Sequence, residues 1–247
     1  MKVELLDNAA VTSKLSGYWR VKIVDEIPST QSEIKNSNPS NWDLIAAEFQ
    51  SAGRGRLDRS FESSKSDGLL FSFYVEPRRA NSDWGFIPLI AGAVVANVLN
   101  KITSSNSYSC KWPNDILIDE NKVAGLLAET HKSGVVVGIG INVTTSLENL
   151  PTPTATSVLI SSQKKVDRNE LLAQICNEFK SVFESWDSGI DQIDYCKKIS
   201  ATLNRSVKAI TPNGELSGRA VEISKSGALI LESGAEITVG DLIHLRG

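Results

Sequence analysis

The sequence is poor in the residues on which several large classes of protein depend. Its three cysteines, Cys110, Cys176 and Cys196, are odd in number and match no zinc or redox spacing. We expect them to be reduced, partly buried thiols of a cytosolic protein. The only two histidines, His131 and His244, stand in no recognisable context, which disfavours a Ser-His-Asp hydrolase. No cluster of residues has the spacing of metal ligands.

Long apolar runs and an excess of positive charge are also missing. We find no apolar run of membrane-spanning length and no signal-peptide core in residues 1–14, and we therefore predict a cytoplasmic protein. Lysine and arginine total 26 against 29 acidic residues, a formal net charge of −3. This balance argues against a non-specific nucleic-acid binder, which is usually basic.

The familiar nucleotide-binding motifs are absent as well. There is no Walker A sequence, and the GIGIN segment at residues 138–142 lacks the third glycine and the following helix of a dinucleotide fingerprint. If the protein uses a nucleotide, it holds it in another way.

The hydrophobic pattern predicts an α+β chain whose 247 residues suffice for one large and one small domain. A short helix or arm is expected in residues 1–17. Apolar or alternating runs predict strands at residues 19–25, 44–49, 68–75, 108–112, 116–118, 123–129 and 135–143. Capping patterns and helical periodicity predict helices starting at residue 30 and at residues 87–102, 167–186 and 190–203.

The composition changes after residue 204. Short strands alternate with turns at Asn213-Gly214, Ser226-Gly227 and Ser233-Gly234, a spacing typical of a small β-barrel or meander. We therefore predict one domain at residues 1–203 and a second at residues 204–247.

A short cationic loop follows the predicted strand at residues 44–49. It contains Gly53, Arg54, Gly55 and Arg56, with Arg59 three residues further on. Glycine allows the backbone to approach a ligand closely, and arginine offers a fixed fork of donors to carboxylate or phosphate. The loop could close over an anion; an exposed basic turn without function is about equally compatible with this segment alone.

Two further stretches carry candidate site residues. The KWPND segment at residues 111–115 places Lys111 and Asp115 on either side of a rigid turn, and Lys122 enters an apolar strand that contains Gly125. The alternatives are a stiff turn with charged ends and an ordinary lysine at the end of a strand. Asn142 ends the next strand. It is a candidate polar contact for a ligand, and the alternative is a residue that only terminates the strand.

The triplet Ser29-Thr30-Gln31 lies between a strand and a helix. Serine and threonine are preferred at helix N-termini, so capping is the stronger explanation from spacing alone. The functional alternative is a set of small hydrogen-bonding groups at the edge of a pocket.

Taken in order, the STQ triplet, Gln50 with the GRGR loop, KWPND, the KVAG segment at 122–125 and GIGIN resemble the biotin protein ligases. The resemblance covers residue 20 to the C-terminus. It implies a mixed-sheet catalytic domain of the biotin/lipoate ligase type followed by a small Src-homology-3-like β-barrel. It also implies an enzyme that makes biotinyl-5′-AMP from biotin and MgATP, then transfers biotin to a lysine of a biotin carboxyl carrier domain.

The resemblance assigns a role to each matching position. Biotin contacts are implied for Ser29, Thr30, Gln31, Gln50, Gly53, Arg54, Gly55, Arg56, Lys122 and Gly125. Nucleotide contacts are implied for Arg56, Arg59, Lys111, Trp112, Asn114 and Asn142. The implied catalytic groups are Lys122 as the main cation, Arg54 near the carboxylate and phosphate, and Asp115 at Mg²⁺ or the incoming lysine.

The chain departs from the family pattern at three positions. Gln31 replaces the usual asparagine and is one methylene longer, while Asp58 and Phe61 replace a glycine and a tryptophan of the loop. We expect altered loop closure with activity retained. Only 28 residues precede Ser29, too few for the DNA-binding domain of some relatives, so we expect a ligase that does not bind DNA. We also expect a monomer or homodimer that does not bind a membrane.

Two other functions remain open at this point. A lipoate or octanoate ligase or transferase has a related fold, and a non-catalytic biotin binder would keep the pocket without the chemistry. The KWPND and GRGR segments favour biotin over lipoate, and the retained cations Arg54, Arg56 and Lys122 favour an enzyme over a binder.

Overall fold

The computed structural model describes residues 4–56, 59–105 and 107–245. A seven-stranded sheet forms the first part of the chain. Its strands are β1 (Arg20–Ile27), β2 (Asp43–Gln50), β3 (Gly68–Val75), β4 (Tyr108–Lys111), β5 (Asp115–Ile118), β6 (Asn121–His131) and β7 (Gly134–Asn142). The helices are α1 (Asn8–Thr12), α2 (Thr30–Asn36), α3 (Ile87–Thr103), α4 (Val158–Ser162), α5 (Arg168–Asp187) and α6 (Ile193–Lys198).

The large sheet is mixed, as predicted. The strand order is β1-β2-β3-β7-β6-β5-β4; β1 and β2 run parallel, whereas the other neighbours pair antiparallel. Every residue of β3 is buried because this strand lies inside the sheet and carries apolar side chains on both faces. The glycine-rich end of β7 therefore lies next to the ends of β3 and β6.

Two long helices cover one face of this sheet. Helix α3 packs against α5, whose N-cap Asp167 accepts a hydrogen bond from the Asn169 backbone. The apolar face predicted for this helix is buried at Leu171, Ile175 and Phe179. The sheet can therefore present its other side to a ligand.

We expected no segment long and apolar enough to span a membrane. By length and composition alone, one helical segment does meet that description, so the expectation is wrong. The continuous helical segment Asn81–Thr103, a 3₁₀ turn followed by α3, has 23 residues and a mean hydropathy of 1.6 in its most apolar window. Two-thirds of that window is buried against the rest of the protein. Its apolar residues are explained by the core that it forms.

The second sheet is antiparallel and has the order β11-β10-β9-β8-β12. Its strands are β8 (Ser206–Thr211), β9 (Gly214–Ile223), β10 (Leu229–Leu231), β11 (Glu236–Ile237) and β12 (Asp241–His244). The turns fall at the predicted glycines, and Gly214, Gly227 and Gly234 all have positive φ. The prediction of a small all-β unit is confirmed.

The small sheet docks on the KWPND turn. The Trp112 indole Nε1 donates to the Gly227 carbonyl at 3.0 Å, and the Trp112 backbone NH donates to Thr202 Oγ1 at 3.0 Å. Gly85 lies so close to the Ser226 carbonyl oxygen that a Cβ there would stand 2.4 Å from it. This docking brings β8 and β12 to the edge of the site described below.

One predicted helix start is confirmed, and the length of another helix differs from the prediction. Helix α2 begins at Thr30 as predicted, although its N-cap is Ser29 rather than Thr30 of the predicted capping box. Helix α6 covers only Ile193–Lys198 of the predicted 190–203 segment, because the chain after it pairs with β4 at Cys110. The short helix α4 was not predicted.

Candidate active site

A cavity of about 320 Å³ lies between the large sheet, the arginine loop and the edge of the small sheet. The arginine loop denotes residues 53–56 and 59–61. The cavity lining includes the following predicted site residues: Ser29, Thr30, Gln31, Gln50, Arg54, Gly55, Arg56, Arg59, Lys111, Trp112, Asn114, Asp115, Lys122 and Gly125. The structure therefore brings together segments that are up to 96 positions apart in the sequence.

One end of the cavity is lined by uncharged hydrogen-bonding groups. The Gln50 Oε1 atom accepts from the Thr30 backbone NH at 2.7 Å and lies 2.9 Å from Thr30 Oγ1. Thr30 Oγ1 also lies 2.8 Å from Ser72 Oγ. The Ser29 hydroxyl is buried and has no hydrogen-bond partner among the described residues, although such groups are normally paired. A ligand heteroatom could satisfy it.

Gln31 is held by the protein rather than left free for a ligand. Its Nε2 donates to Glu129 Oε2 at 3.1 Å and to the Val136 carbonyl at 3.3 Å, while its Oε1 accepts from Ser72 at 3.2 Å. Gly138 makes room for it, since a Cβ there would lie 2.5 Å from Gln31 Oε1. The extra methylene of Gln31 thus lets the amide group reach Glu129.

The arginine loop is folded back on itself as a short hairpin. Arg54 and Ser60 form an antiparallel bridge, the Gly55 NH donates to the Arg59 carbonyl at 2.7 Å, and the Phe61 NH donates to the Gly53 carbonyl at 2.9 Å. Gly53 shapes the hairpin from outside the cavity lining, since a Cβ there would stand 2.2 Å from the Phe61 carbonyl oxygen. Asp58, on which altered closure was expected, lies outside the described residues.

Arg54 is paired with a carboxylate of β6. Its guanidinium donates to both carboxylate oxygens of Glu129, at 3.1 Å each. Glu129 and Lys122 lie on the same strand seven residues apart, so about 23 Å separate their Cα atoms. Glu129 therefore holds Arg54 away from Lys122, at the end of the cavity where this ion pair carries no net charge, and a role for Arg54 beside the reacting groups stays a prediction.

Arg56 lies at the KWPND end of the cavity. Its guanidinium donates to Asn114 Oδ1 at 3.1 Å and to the Gly240 carbonyl at 3.2 Å. Burial is the largest influence on this group and lowers the pKa of Arg56, an effect that nearby Asp115 opposes. Arg59 forms an ion pair with Asp241 of the small sheet. The loop thus carries two cations to the KWPND end of the cavity.

Lys122 and Asp115 form the charged pair at this end. The ammonium lies 2.6 Å from Asp115 Oδ1. The pairing of β5 with β6 places Asp115 opposite Gly125, and the Lys122 side chain lies over that glycine, 3.2 Å from where its Cβ would be. Backbone hydrogen bonds to Thr154 and Thr156 fix the main chain of Lys122. A glycine at 125 therefore leaves space for the lysine above the strand.

The described residues contain no group of three or more His, Cys, Asp or Glu side chains that could hold a metal ion. Mg²⁺ is commonly held by one or two carboxylates together with substrate phosphates. Asp115 fits that role as a single carboxylate. The remaining ligands would have to come from a nucleotide and water.

Trp112 and Asn142 are less available to a ligand than expected. The Trp112 side chain is only 4% exposed, and its indole NH is already bonded to Gly227. Asn142 is buried outside the cavity lining and donates to the Thr156 carbonyl at 3.1 Å. This bond holds the segment that runs beside Lys122, and the nucleotide contact of Asn142 stays a prediction.

Several lining residues were not assigned to the site from the sequence. They include Ser72, Gly138, Gly140, Ile210, Asp241, Leu242 and Ile243. The Phe61 ring lies over Gly140, where a Cβ would stand 2.5 Å from it. The glycines in GIGIN were visible in the sequence, but Ser72 lay inside an apolar strand and gave no signal. The residues of β8 and β12 depend on docking of the small sheet, which sequence spacing does not reveal.

Comparison with known proteins agrees with this arrangement. Residues 23–146 match the family described as the Biotin/lipoate A/B protein ligase family, and residues 202–244 match the Biotin protein ligase C terminal domain. The chain is 31% identical to the biotin--[acetyl-CoA-carboxylase] ligase of Mycobacterium tuberculosis, with 94% of this chain and 91% of that protein covered.

The chain belongs to the biotin protein ligase family. The bifunctional ligase/repressor BirA of Escherichia coli is 30% identical, and the match covers 99% of this chain and 79% of BirA. The biotin protein ligase from Aquifex aeolicus in complex with biotin and ATP superposes with a TM-score of 0.82 at 30% identity, covering 92% of this chain and all of that one. The fold predicted from the resemblance, a biotin ligase mixed sheet followed by a small β-domain, is confirmed.

Proposed function

We propose that this biotin protein ligase joins biotin to ATP and then to a lysine of a biotin carboxyl carrier domain. A carboxylate oxygen of biotin attacks the α-phosphorus of ATP and pyrophosphate leaves, which gives biotinyl-5′-AMP. The lysine amine then attacks the acyl carbon, loses a proton and expels AMP. The observation that carries this proposal is a single cavity with an uncharged polar end and a cationic end.

The uncharged end suits a neutral ring that both donates and accepts hydrogen bonds. Ser29 contributes a buried hydroxyl that has no described partner, and Thr30 and Gln50 are held beside it. Burying such a ring without hydrogen bonds would cost free energy, so placed partners select for it. The ureido group of biotin has this chemistry.

The cationic end suits the joining of two anions. At about 4 Å and an effective dielectric constant of about 20, two unit charges interact by roughly 4 kcal/mol. Lys122, Arg56 and Lys111 line the cavity at this end and would offset the repulsion between carboxylate and phosphate. Cations placed in advance also stabilise the charge that develops on the phosphate during attack. Lys122 is our choice for the main catalytic cation.

Asp115 is the group that would hold Mg²⁺ with the phosphates of ATP. In the described structure its carboxylate neutralises Lys122. A magnesium ion at this carboxylate would partly screen it and leave Lys122 freer to bind the ligand. Mg²⁺ would supply charge neutralisation of the leaving pyrophosphate.

The relatives named for acetyl-CoA carboxylase support a carboxyl carrier domain as the acceptor class. We propose that the ligase works in the cytoplasm as a monomer or homodimer and does not bind DNA. We also propose residues 1–203 as the catalytic domain and residues 204–247 as a domain that completes the site.

ATP–pyrophosphate exchange tests the first half-reaction. Purified protein is assayed with biotin, lipoate or octanoate in separate reactions, with Lys122→Ala as the inactive control. Exchange that depends on biotin supports the proposal. Exchange with the fatty acids alone would move the protein to lipoate chemistry, and no exchange in folded protein would make it a binder. Incorporation of labelled biotin into a carrier domain tests the second half.

A further inference from the structure

Glu129 is a carboxylate just outside the cavity, and no role was predicted for it from the sequence. It lies on β6, opposite Val136 of β7, and its side chain is 24% exposed. Three groups converge on it: Gln31 at 3.1 Å, Arg54 at 3.1 Å to each oxygen, and Lys35 at 3.4 Å. Two of these, Gln31 and Arg54, line the cavity.

These contacts complete a continuous series of hydrogen bonds around the uncharged end of the cavity. The series begins at Gln50, the last residue of β2, and ends at Arg54, which is four positions further along the chain. Its members, in order, are Gln50, Thr30, Ser72, Gln31, Glu129 and Arg54. Ser72 donates to Gln31, the Thr30 backbone NH donates to Gln50, and the single proton of the Thr30 hydroxyl serves either Gln50 or Ser72. Such networks hold their members in one arrangement when every group is satisfied.

The charge of Glu129 is maintained by its surroundings. Burial alone would raise the pKa of Glu129, but hydrogen bonds from Gln31 and Arg54 and the charge of Lys35 outweigh burial, so this pKa lies below its ordinary value. Glu129 is thus an anion at neutral pH. A planar carboxylate that accepts two parallel bonds from an arginine is among the strongest paired arrangements in proteins.

Arg54 needs such a partner because it lies on a loop. Its side chain is 43% exposed, and its backbone has one bridge, to Ser60. A mobile arginine would lose conformational entropy each time the loop ordered over a ligand. Anchoring it in advance to a carboxylate on a sheet strand removes part of that cost.

We propose that Glu129 is a positioning residue that anchors Arg54, and through it the arginine loop, to the end of the cavity where the biotin ring binds. This inference rests on the proposed function, because the ring is the ligand of that end. Glu129 does not touch the reacting atoms. Loss of Glu129 should shorten the time for which biotin and biotinyl-5′-AMP stay bound. It should change the rate of pyrophosphate exchange at saturating substrates much less.

Glu129→Gln tests the proposal because it keeps the shape and the acceptor for Gln31 but removes the charge that binds Arg54. We expect biotinyl-5′-AMP to dissociate about 10-fold faster and biotin affinity to fall by a similar factor, with the melting temperature nearly unchanged. Glu184→Gln is the matched control, since it makes the same change at an exposed carboxylate that is paired with Lys180 on α5. It should leave both quantities at the wild-type value.

A double-mutant cycle separates anchoring from a general structural effect. If Glu129 acts through Arg54, then Glu129→Gln added to Arg54→Gln changes adenylate dissociation little further. The proposal would be overturned if the two substitutions multiplied each other's effect on adenylate dissociation. It would also be overturned if Glu129→Gln released adenylate at the wild-type rate. Should Glu129→Gln fail to fold, Glu129→Asp keeps the charge but draws the carboxylate one methylene away from Arg54, and it should speed adenylate release several-fold. Adenylate release at the wild-type rate would again overturn the proposal.

Biotin affinity measured by calorimetry keeps this test separate from the proposed function. Wild-type protein that binds biotin but shows no exchange would defeat the ligase proposal, and the affinities of the Glu129 variants would still decide the anchoring role. Normal exchange with unchanged affinity and adenylate release in Glu129→Gln would defeat the anchoring role alone.

Discussion

Lys122 and Asp115 lie on neighbouring strands with their charged groups 2.6 Å apart, and Gly125 between them leaves the space that the lysine occupies. This pair joins the two cavity segments that the sequence places next to each other, KWPND and KVAG. Its geometry makes the lysine a placed cation rather than a mobile surface charge. The first prediction follows from it.

Replacing Lys122 by alanine should lower biotin-dependent pyrophosphate exchange by roughly 10²–10³-fold, the usual effect of losing one placed charge-stabilising group. Steady-state exchange at saturating biotin and ATP measures it. Lys101→Ala removes a lysine of an exposed ion pair with Glu178 and should retain wild-type exchange. Wild-type turnover in Lys122→Ala would remove Lys122 from the catalytic role.

The contact between Trp112 and Gly227 should contribute measurably to stability. Trp112→Phe leaves the buried Gly227 carbonyl without its donor, and we expect the free energy of unfolding to fall by about 1–3 kcal/mol beyond the effect of the smaller ring. Chemical denaturation compares the free energy of unfolding lost in Trp112→Phe with that lost in the control variant Trp19→Phe. Trp19 is buried, but its indole NH has no partner among the described residues, so its loss costs only packing. Equal losses would show that the hydrogen bond contributes nothing.

Gly140 should be needed for the arginine loop to lie over the cavity. An alanine there would place a Cβ 2.5 Å from the Phe61 ring, and the ring with its loop must move. We expect the KM for biotin to rise about 10-fold or more while the melting temperature stays close to wild type. Gly92→Ala is the control, because its Cβ would meet neighbours at an ordinary 3.6 Å within α3. A Gly140→Ala protein with unchanged KM would mean that Phe61 is not needed where it lies.

His244 should make stability depend on pH at the contact between the two sheets. Burial, followed by the positive charges of Lys111 and Arg205, lowers the pKa of His244 from 6.5 to about 4. The unfolded chain therefore binds a proton below pH 6.5 that the folded protein does not bind until about pH 4. Stability from this group is complete above pH 6.5 and is lost as the pH falls towards 4.

Melting temperatures between pH 7 and pH 4 measure this effect in wild type and in His244→Gln. The variant should lose less stability across that interval than the wild type. Identical pH profiles for the two proteins would exclude His244 as a source of the dependence.

The elements of the fold that carry strong local patterns were predictable. Strand β3 coincides with the apolar run at residues 68–75, and α5 begins one residue after its predicted N-cap Asp167. The boundaries that failed depend on tertiary contacts: residues 199–201 pair with β4 at Cys110 rather than extending α6. Local propensity holds no information about that pairing.

The site was predictable by segment but not by the direction of each side chain. Lys122, Asp115 and the STQ triplet meet at one cavity as expected. Each of the two loop arginines follows a glycine in the GRGR segment, so the sequence does not distinguish them. In the structure, however, Arg54 binds Glu129 and Arg56 binds Asn114. Which end of the cavity each arginine reaches depends on partners 75 and 58 positions away, and spacing within the loop cannot show it.

The contact between Arg56 and the Gly240 carbonyl joins residues 184 positions apart. Contacts of such separation form late in folding, since the chain between them must be ordered before they stabilise anything. The large sheet can therefore reach its native hydrogen bonding while the arginine loop still lacks its support from the small sheet. During refolding from denaturant, native circular dichroism should return before ligand affinity does, and the interval between them reports the docking of the two sheets.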